Sequence, residues 1–283
     1  MRILLTGAAG LIGREIHHYF STKGHHLIPV DVRIQHTGIC LDLTQARLVR
    51  QLVAQHQPDL IIHLAAMKDI KLCETNKRAA HRTNYGITTT LADICKASQI
   101  RLIYFSTDYV FGKQDQFWEE HDPLCPTTQY GIDKAKSEQY IQAQLTNYAI
   151  IRTAQLYGFS GDFVSLVWKT LRSNQVFKAI SNLINCPTWI QDLLAMLDQI
   201  IHQAHQGIFH CVGPAALSRY QYAFEIAQTF GLNTNLIQPI TLDFTQDIRP
   251  PIVRINGSST YQKLQVYPHR LKNALPTCKL YLK

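Results

Sequence analysis

The sequence of 283 residues has no uninterrupted apolar segment long enough for a membrane helix, and only 17% of its residues are charged. The best candidate segment, Leu193 to Ile201, is broken by Asp198 and Gln199, whereas a membrane helix requires about 18 or more consecutive apolar residues. The hydrophobic fraction of 46% lies in the globular range of about 45–50%, which disfavours a disordered chain. We therefore expect a globular protein of about two domains with no membrane insertion.

The sequence also lacks any Cys-x-x-Cys pair. Its seven cysteines are an odd and dispersed set, which argues against both a disulfide framework and a zinc site. The 13 histidines show no spacing with acids or cysteines that would complete a metal site. We therefore expect no metal, and a reducing, cytoplasmic location.

Acidic residues are missing from the last part of the chain. From Arg249 onward there are seven Lys or Arg and no Asp or Glu, whereas the rest of the chain holds 21 basic and 20 acidic residues. This segment is either a solvated basic tail or a means of attracting an anionic substrate such as a sugar diphosphate, for which Arg249 is the candidate phosphate ligand. Because it contains no recognised nucleic-acid-binding motif, we expect no nucleic-acid partner.

Short apolar runs alternate with helical patterns through the first half of the chain, which predicts an α/β fold with a doubly wound parallel sheet of the Rossmann type. The predicted strands are Arg2 to Leu5, Leu27 to Val30, Asp59 to Ala66, Leu102 to Phe105 and Ala149 to Ile151. The predicted domains are a dinucleotide-binding domain at 1–158 and a smaller mixed substrate-binding region at 159–283. Residues of about 177–212 are expected to return to the first domain.

A glycine turn follows the first predicted strand. Gly7, Gly10 and Gly13 stand in the pattern GxxGxxG, which allows a tight turn, close approach of the backbone to a pyrophosphate, and oriented N–H groups at the start of a helix. Asp31 ends the second predicted strand, where an acid that binds adenosine ribose belongs. Asp31 favours NAD, but Arg33 could accept a 2′-phosphate, so both NADH and NADPH stay open.

A second motif is Tyr130-Gly-Ile-Asp-Lys134, preceded by Ser106 and Thr107 at the end of the fourth predicted strand. Tyr130 and Lys134 share one face of a helix, so the ammonium is expected to lie near the phenol and lower its pKa. A tyrosine with such a pKa can transfer a proton near neutral pH, and the strand-end hydroxyls could polarise a carbonyl.

These motifs, together with His63-Leu-Ala-Ala66, Asn84 and Ser106-Thr-Asp-Tyr-Val-Phe111, resemble the extended short-chain dehydrogenase/reductases. Within that superfamily, Arg152-Thr-Ala-Gln-Leu-Tyr-Gly158, Pro187-Thr188, Ser218-Arg-Tyr220 and Arg249-Pro250 are most similar to the dTDP-4-dehydrorhamnose reductase branch. The resemblance extends over nearly the whole chain.

The resemblance implies reduction, by NADH or NADPH, of the C4 carbonyl of a nucleotide-linked 4-keto-6-deoxy sugar, with Tyr130 as the proton donor. It implies three catalytic residues, which are Thr107, Tyr130 and Lys134. The implied coenzyme contacts are Gly7, Gly10, Leu11, Ile12, Gly13, Asp31, Asp42, Leu43, Leu64, Ala65, Ala66, Ser106, Tyr130 and Lys134. The predicted substrate contacts are Thr107, Asp108, Gln155 and Arg249.

The substrate side departs from the branch. Gln155 stands where the reductases commonly have Trp in an Arg-Thr-x-Trp stretch, and Asn182-Leu-Ile-Asn-Cys-Pro-Thr188 keeps only the last two residues of the usual Asp-Gln-x-Gly-x-Pro-Thr loop. Two alternatives therefore stay open. One is a dinucleotide-binding regulatory subunit like the β subunit of methionine adenosyltransferase, and the other is a nucleotide-sugar epimerase or dehydratase. A homodimer is also compatible with the sequence.

Overall fold

A computed structural model of the chain describes residues 1–33 and 38–282. Within them the strands, numbered in chain order, are β1 Arg2–Thr6, β2 His26–Val30, β3 Leu60–His63, β4 Arg101–Phe105, β5 Phe117–Trp118, β6 Tyr148–Arg152, β7 Leu156–Tyr157, β8 Phe177–Ile180, β9 Ile184–Asn185, β10 Thr188–Trp189, β11 Gly207–His210, β12 Leu217–Ser218, β13 Ile237–Ile240 and β14 Arg254–Ile255.

The α-helices of the same residues are α1 Leu11–Thr22, α2 Ala46–His56, α3 Ile70–Thr75, α4 Lys77–His81, α5 Ile87–Ser98, α6 Gln129–Gln144, α7 Phe163–Arg172, α8 Ile190–His202, α9 Arg219–Thr229, α10 Ser258–Leu264 and α11 Leu271–Ala274. A π-helical turn, Arg82–Gly86, joins α4 to α5, so the helical segment that precedes β4 contains a wider turn. Short 3₁₀ turns lie at Asp108–Val110, Thr234–Leu236 and Leu275–Tyr281. Each of these helices is too short or too polar to cross a bilayer.

Six strands form the central sheet in the order β11-β6-β4-β3-β1-β2, and β2, β1, β3, β4 and β6 pair in parallel. Every residue of β3 and β4 is buried, as expected for strands of a parallel sheet covered on both faces. The chain runs from β1 outward to β2 and then returns past β1 to β3. The fold class is confirmed, and the reversal between β1 and β3 is where open α/β sheets bind ligands.

The chain divides into two compact units. The first comprises 1–110, 126–151 and 204–208, and the second comprises 111–125, 152–203 and 209–283. The predicted arrangement differs from this one: 111–125 belong to the second unit, and only 204–208 of the expected returning segment belong to the first. Each of these segments belongs to a unit whose other parts are far away in sequence, and local sequence patterns do not reveal such contacts.

Each unit has its own hydrophobic core. In the first unit, helices α2 and α5 pack with the sheet through residues such as Val49, Leu91 and Ile150. In the second, α7 and α9 contribute Val167 and Ile226 to a separate core. The second unit also holds four two-stranded pairs: β10-β7, β12-β9, β13-β8 and β14-β5. Ser218 and Gln221 form a capping box at the start of α9.

Candidate active site

The loop after β1 is a tight turn held against the end of β3. Gly7 has a φ of 72°, and a Cβ atom at this position would lie 2.7 Å from the main-chain nitrogen of Ala65, so the turn requires glycine. The N–H groups of Leu64 and Ala65 donate to Thr6 Oγ1, at 3.2 and 3.3 Å. The predicted coenzyme residues Leu64 and Ala65 therefore lie beside the glycine turn, and Ala66 follows directly in the chain.

Helix α1 begins immediately after this turn. Gly10 is its N-cap residue, and Leu11, Ile12 and Gly13 form the first turn. Leu11 is exposed, whereas Gly13 is buried. The first N–H groups of a helix have no partner within it and favour an anion at that end. The turn and the helix start therefore fit the pyrophosphate of a dinucleotide.

Asp31 follows β2 and is held in place by two neighbouring groups. Its Oδ2 accepts a hydrogen bond from the Ala9 N–H at 3.2 Å, and its Oδ1 accepts from Arg33 Nε at 3.1 Å. Burial raises the pKa of Asp31, whereas its hydrogen bonds and the charge of Arg33 lower it. The lowering effects are larger together, so the pKa lies below its ordinary value. The Arg33 guanidinium reaches within 4.0 Å of where a Cβ on Gly10 would be. The adenosine end of the predicted site thus carries a negatively charged Asp31 and a positively charged Arg33 side by side.

Asp42 and Leu43 lie just before α2. Asp42 Oδ1 accepts hydrogen bonds from the Thr44 N–H and hydroxyl, at 2.9 and 2.8 Å. Leu43 is buried in the core of the first unit. These contacts explain how the segment is held, and the coenzyme roles of the two residues stay predictions.

Thr107 and Tyr130 meet at the end of β4. Thr107 Oγ1 donates to Asp108 Oδ1 at 3.0 Å and accepts from the Tyr109 N–H at 3.2 Å, and the Thr107 side chain lies close enough to the Tyr130 phenol to act on its pKa. A Cβ atom on Gly131 would overlap the carbonyl oxygen of Tyr109, so glycine is what lets α6 approach this loop so closely. Two hydroxyl groups from distant parts of the sequence therefore converge, and Asp108 lies with them.

Lys134 lies one turn further along α6 and is buried. Its Nζ donates to the carbonyl oxygen of Phe105 at 2.6 Å, and lies 4.4 Å from the centre of the Tyr104 ring and 6.0 Å from that of Tyr130. Burial lowers the pKa of Lys134 to about 7, although the Glu138 carboxylate acts in the opposite direction.

The expectation that Lys134 lowers the pKa of Tyr130 is wrong for the protein alone. The pKa of Tyr130 is raised, first by burial around its hydroxyl and then by the negative charge of Asp108, while the Thr107 side chain lowers it only in part. The spacing correctly placed Tyr130 and Lys134 on one helix face. The Lys134 ammonium, however, binds the Phe105 carbonyl oxygen and lies closer to the centre of the Tyr104 ring than to the centre of the Tyr130 ring.

A model of the RmlD substrate binding domain matches residues 1–279. The chain belongs to the RmlD family.

Relatives of this RmlD-family chain differ in their named roles. It is 30% identical to a dTDP-4-dehydrorhamnose reductase of Mycolicibacterium smegmatis, over 86% of this chain and 73% of the relative. It is 28% identical to methionine adenosyltransferase 2 subunit beta of Rattus norvegicus, over 85% of this chain and 75% of the relative. A crystal structure of a dTDP-4-dehydrorhamnose reductase from Clostridium acetobutylicum, 27% identical, superposes with a TM-score of 0.87 and covers 100% of this chain and 98% of that one.

The two other predicted substrate residues of the RmlD-family chain lie in its second unit. Gln155 precedes β7 with a φ of 24°, and neither amide atom of its buried side-chain end has a hydrogen-bond partner within residues 1–33 and 38–282. Arg249 forms an ion pair with Asp247, with Nη2 of the arginine 2.7 Å from Oδ2 of the aspartate. The predicted phosphate ligand therefore already has an acidic neighbour, which the sequence analysis did not use.

Ser106 and Glu138 form a contact that the sequence analysis missed. The Ser106 hydroxyl donates to Glu138 Oε1 at 2.5 Å, and both residues are buried. Glu138 follows Lys134 by four residues, and this spacing predicts that it lies on the same helix face. Ser106, predicted to contact the coenzyme, directs its hydroxyl to α6.

Asn84 holds the segment after β3. Its side-chain amide donates to the carbonyl oxygen of Met67 at 3.0 Å and accepts from the Met67 N–H at 2.7 Å. In the part of the chain that the structure describes, no three His, Cys, Asp or Glu side chains are placed to hold a metal ion.

Proposed function

We propose that this chain is an oxidoreductase that uses NADH or NADPH to reduce the C4 carbonyl of a nucleotide-linked 4-keto-6-deoxy sugar. The observation that carries the proposal is the placement of the Tyr130 phenol beside the Thr107 hydroxyl and Asp108, because two convergent hydroxyls can hold a carbonyl oxygen and protonate it. Membership of the RmlD family and the reductase names of relatives support the same reaction class.

The bound coenzyme would supply a hydride to the carbonyl carbon. As the carbonyl oxygen becomes an alkoxide, Tyr130 donates its phenolic proton, and Thr107 holds the oxygen by a hydrogen bond. The raised pKa of Tyr130 keeps the phenol protonated at neutral pH, which is the form that a proton donor in the reducing direction needs. Lys134, in its charged form, would stabilise the phenolate that remains.

The residues that would hold the coenzyme lie at the switch between β1 and β3. The start of α1 would hold the pyrophosphate, and Asp31 and Arg33 would meet the adenosine ribose. Asp31 can accept hydrogen bonds from ribose hydroxyls, and Arg33 can pair with a 2′-phosphate. The reductase family uses NAD(P)H, and this pair of side chains supports the use of either coenzyme.

The substrate side rests on Thr107, Asp108, Gln155 and Arg249. The buried amide of Gln155 has no hydrogen-bond partner among the residues that the structure describes, and its donors and acceptor suit the hydroxyl groups of a sugar. A positively charged Arg249 suits a diphosphate, in competition with Asp247. The seven free cysteines are consistent with a reducing, cytoplasmic setting. A homodimer stays a prediction, which light scattering after size-exclusion chromatography tests.

The test is turnover by the purified protein of a panel of nucleotide-linked 4-keto-6-deoxy sugars, beginning with the dTDP-linked ones, followed through NADH or NADPH absorbance. Tyr130→Phe is expected to lose turnover by about a hundredfold or more while still quenching coenzyme fluorescence. Tyr140→Phe, on the same helix but hydrogen-bonded to Asp93 away from Thr107, is the matched control. Retained turnover in Tyr130→Phe would overturn the role of the phenol. Coenzyme binding without oxidation across the panel would favour a regulatory subunit.

A further inference from the structure

A buried acid lies on α6 one turn beyond Lys134. Glu138 is fully buried, and its Oε1 accepts the hydroxyl hydrogen of Ser106 at 2.5 Å. A buried carboxylate is costly unless it is hydrogen-bonded and has a nearby positive charge. Ser106 provides the hydrogen bond, and Lys134 on the same helix face provides the positive charge.

Successive turns of α6 thus contact three consecutive residues at the end of β4. Tyr130 lies beside Thr107, Lys134 Nζ donates to the carbonyl oxygen of Phe105, and Glu138 accepts from Ser106. The carboxylate is therefore fixed by the same strand end that carries the Thr107 hydroxyl. Because the bond to Ser106 sets its direction, Glu138 is a fixed negative charge in the low-dielectric surroundings of Lys134.

The titratable groups around the Lys134 ammonium are His63 on β3, Tyr104 on β4, and Tyr130 and Glu138 on α6. His63 is neutral at pH 7, because burial lowers its pKa to about 3. Burial raises the pKa of both tyrosines, so they are neutral as well. Among these four groups, Glu138 alone supplies the negative charge that favours a protonated Lys134.

We propose that Glu138 is a positioning residue that keeps Lys134 in its charged form next to Tyr130, with Ser106 fixing the direction of its carboxylate. This inference rests on the proposed reductase function for its consequence in catalysis. The ionisation of Lys134 can, however, be measured without any substrate. The proposal can therefore fail or succeed separately from the proposed function.

The direct experiment is an NMR titration of the wild-type protein and of Glu138→Gln, both labelled with ¹³C-lysine. The Lys134 signal is assigned by its loss in Lys134→Met. Glu138→Gln keeps an acceptor for Ser106 but removes the charge, so we expect the midpoint of the Lys134 titration to fall by about one pH unit or more. An unchanged or raised midpoint would overturn the proposal.

Ser106→Ala is the matched control, since it removes the hydrogen bond and leaves the carboxylate. We expect it to shift the midpoint by less than half as much as Glu138→Gln, and an equal shift would attribute the effect to loosened packing and overturn the proposal. If Glu138→Gln does not fold, as judged by thermal unfolding, Glu138→Asp replaces it. Its displaced carboxylate is expected to lower the midpoint by a smaller amount, and no change would again contradict the role.

The kinetic readout is the pH profile of kcat on an active 4-keto sugar. Because Lys134 loses its proton as the pH rises, the alkaline side of the Glu138→Gln profile should move to lower pH by the shift seen in the titration. A purely structural role would lower kcat equally at every pH, and that result would overturn the proposal. If the wild-type protein reduces no sugar of the panel, the reductase function fails while the NMR result still decides the role of Glu138.

Discussion

At the scale of single residues, Asp31 and Arg33 form an ion pair at the end of β2 where the two nicotinamide coenzymes differ. The Asp31 carboxylate is buried, whereas the Arg33 side chain is 66% exposed and so accessible to a ligand. A carboxylate alone would repel a 2′-phosphate, and Arg33 offsets that repulsion. The pair therefore predicts separable effects on the two coenzymes.

Arg33→Ala is expected to weaken NADPH binding by about tenfold or more and NADH binding by much less. The reason is the loss of a charge-assisted hydrogen bond, worth about 1.5–3 kcal/mol, to the 2′-phosphate. Asp31→Asn is expected to weaken NADH binding instead. Fluorescence titration measures both constants, with the exposed Arg50→Ala as a control for net charge. Equal weakening of both coenzymes by Arg33→Ala would contradict this assignment.

Gln155 combines a strained backbone with a buried amide whose two polar atoms have no partner in the described part of the chain. Such a group costs about 1–3 kcal/mol in the protein without ligand, and it is retained in structures chiefly where a ligand or water satisfies it. This cost supports its place as a substrate contact.

Gln155→Met has nearly the same volume but no amide, so it is expected to raise the free energy of unfolding by about 1 kcal/mol. At the same time kcat/KM for the sugar substrate should fall. Urea unfolding and steady-state kinetics measure the two effects. The control is Gln99→Met, because Gln99 also has a positive φ but is exposed, and it should show neither effect. A less stable Gln155→Met protein would refute the account.

At the scale of elements, α6 is the helix that assembles the candidate active site. Its start is capped by Thr128, whose hydroxyl accepts from the Gly131 N–H at 3.0 Å. Tyr130, Lys134 and Glu138 then follow at intervals of four residues and face the end of β4. The close approach at Gly131 sets the distance between the helix and the loop that carries Thr107.

Gly131→Ala is expected to force α6 away from Tyr109 and so separate Tyr130 from Thr107. We expect a loss of about 1–3 kcal/mol in stability from overpacking and a fall in kcat of tenfold or more. Gly86→Ala is the matched control, because a Cβ there meets nothing closer than the His81 carbonyl oxygen at 3.9 Å. Denaturant unfolding and turnover measure the outcome. Unchanged turnover in Gly131→Ala would show that the approach is not needed.

At the scale of the whole molecule, each unit contains a buried neutral histidine. In the first unit His63 contacts the hydroxyls of Thr6 and Thr88, and in the second unit His210 contacts Arg152. Burial lowers the pKa of both histidines to about 3, and the charge of Arg152 also lowers that of His210. In the unfolded chain both would take up protons near pH 6.5.

Stability from these histidines is therefore complete above about pH 6.5 and is lost as the pH falls from there toward about 3. Each should add a slope of about 1.4 kcal/mol per pH unit in that window, because the unfolded state binds one more proton. Urea unfolding at pH 7, 6 and 5 measures it. His63→Gln is expected to be less stable at pH 7 but to show a smaller slope by about one proton. An unchanged slope would contradict the assignment.

The sequence by itself determined the features that depend on local spacing. The alternation of apolar strands and helical patterns predicted the parallel sheet, and the glycines after β1 predicted a turn that the structure confirms at Gly7. The four-residue interval predicted that Tyr130 and Lys134 share a helix face. Each of these follows from backbone geometry within a few residues, so no distant contact was needed to find it.

Only the tertiary structure decided which distant groups surround these residues. The raised pKa of Tyr130 depends on burial. The bond between Ser106 and Glu138 and the placement of 111–125 in the second unit each bring together parts of the chain that are far apart in sequence. Burial and charge act through space, so the ionisation of a site depends on neighbours that local spacing does not specify.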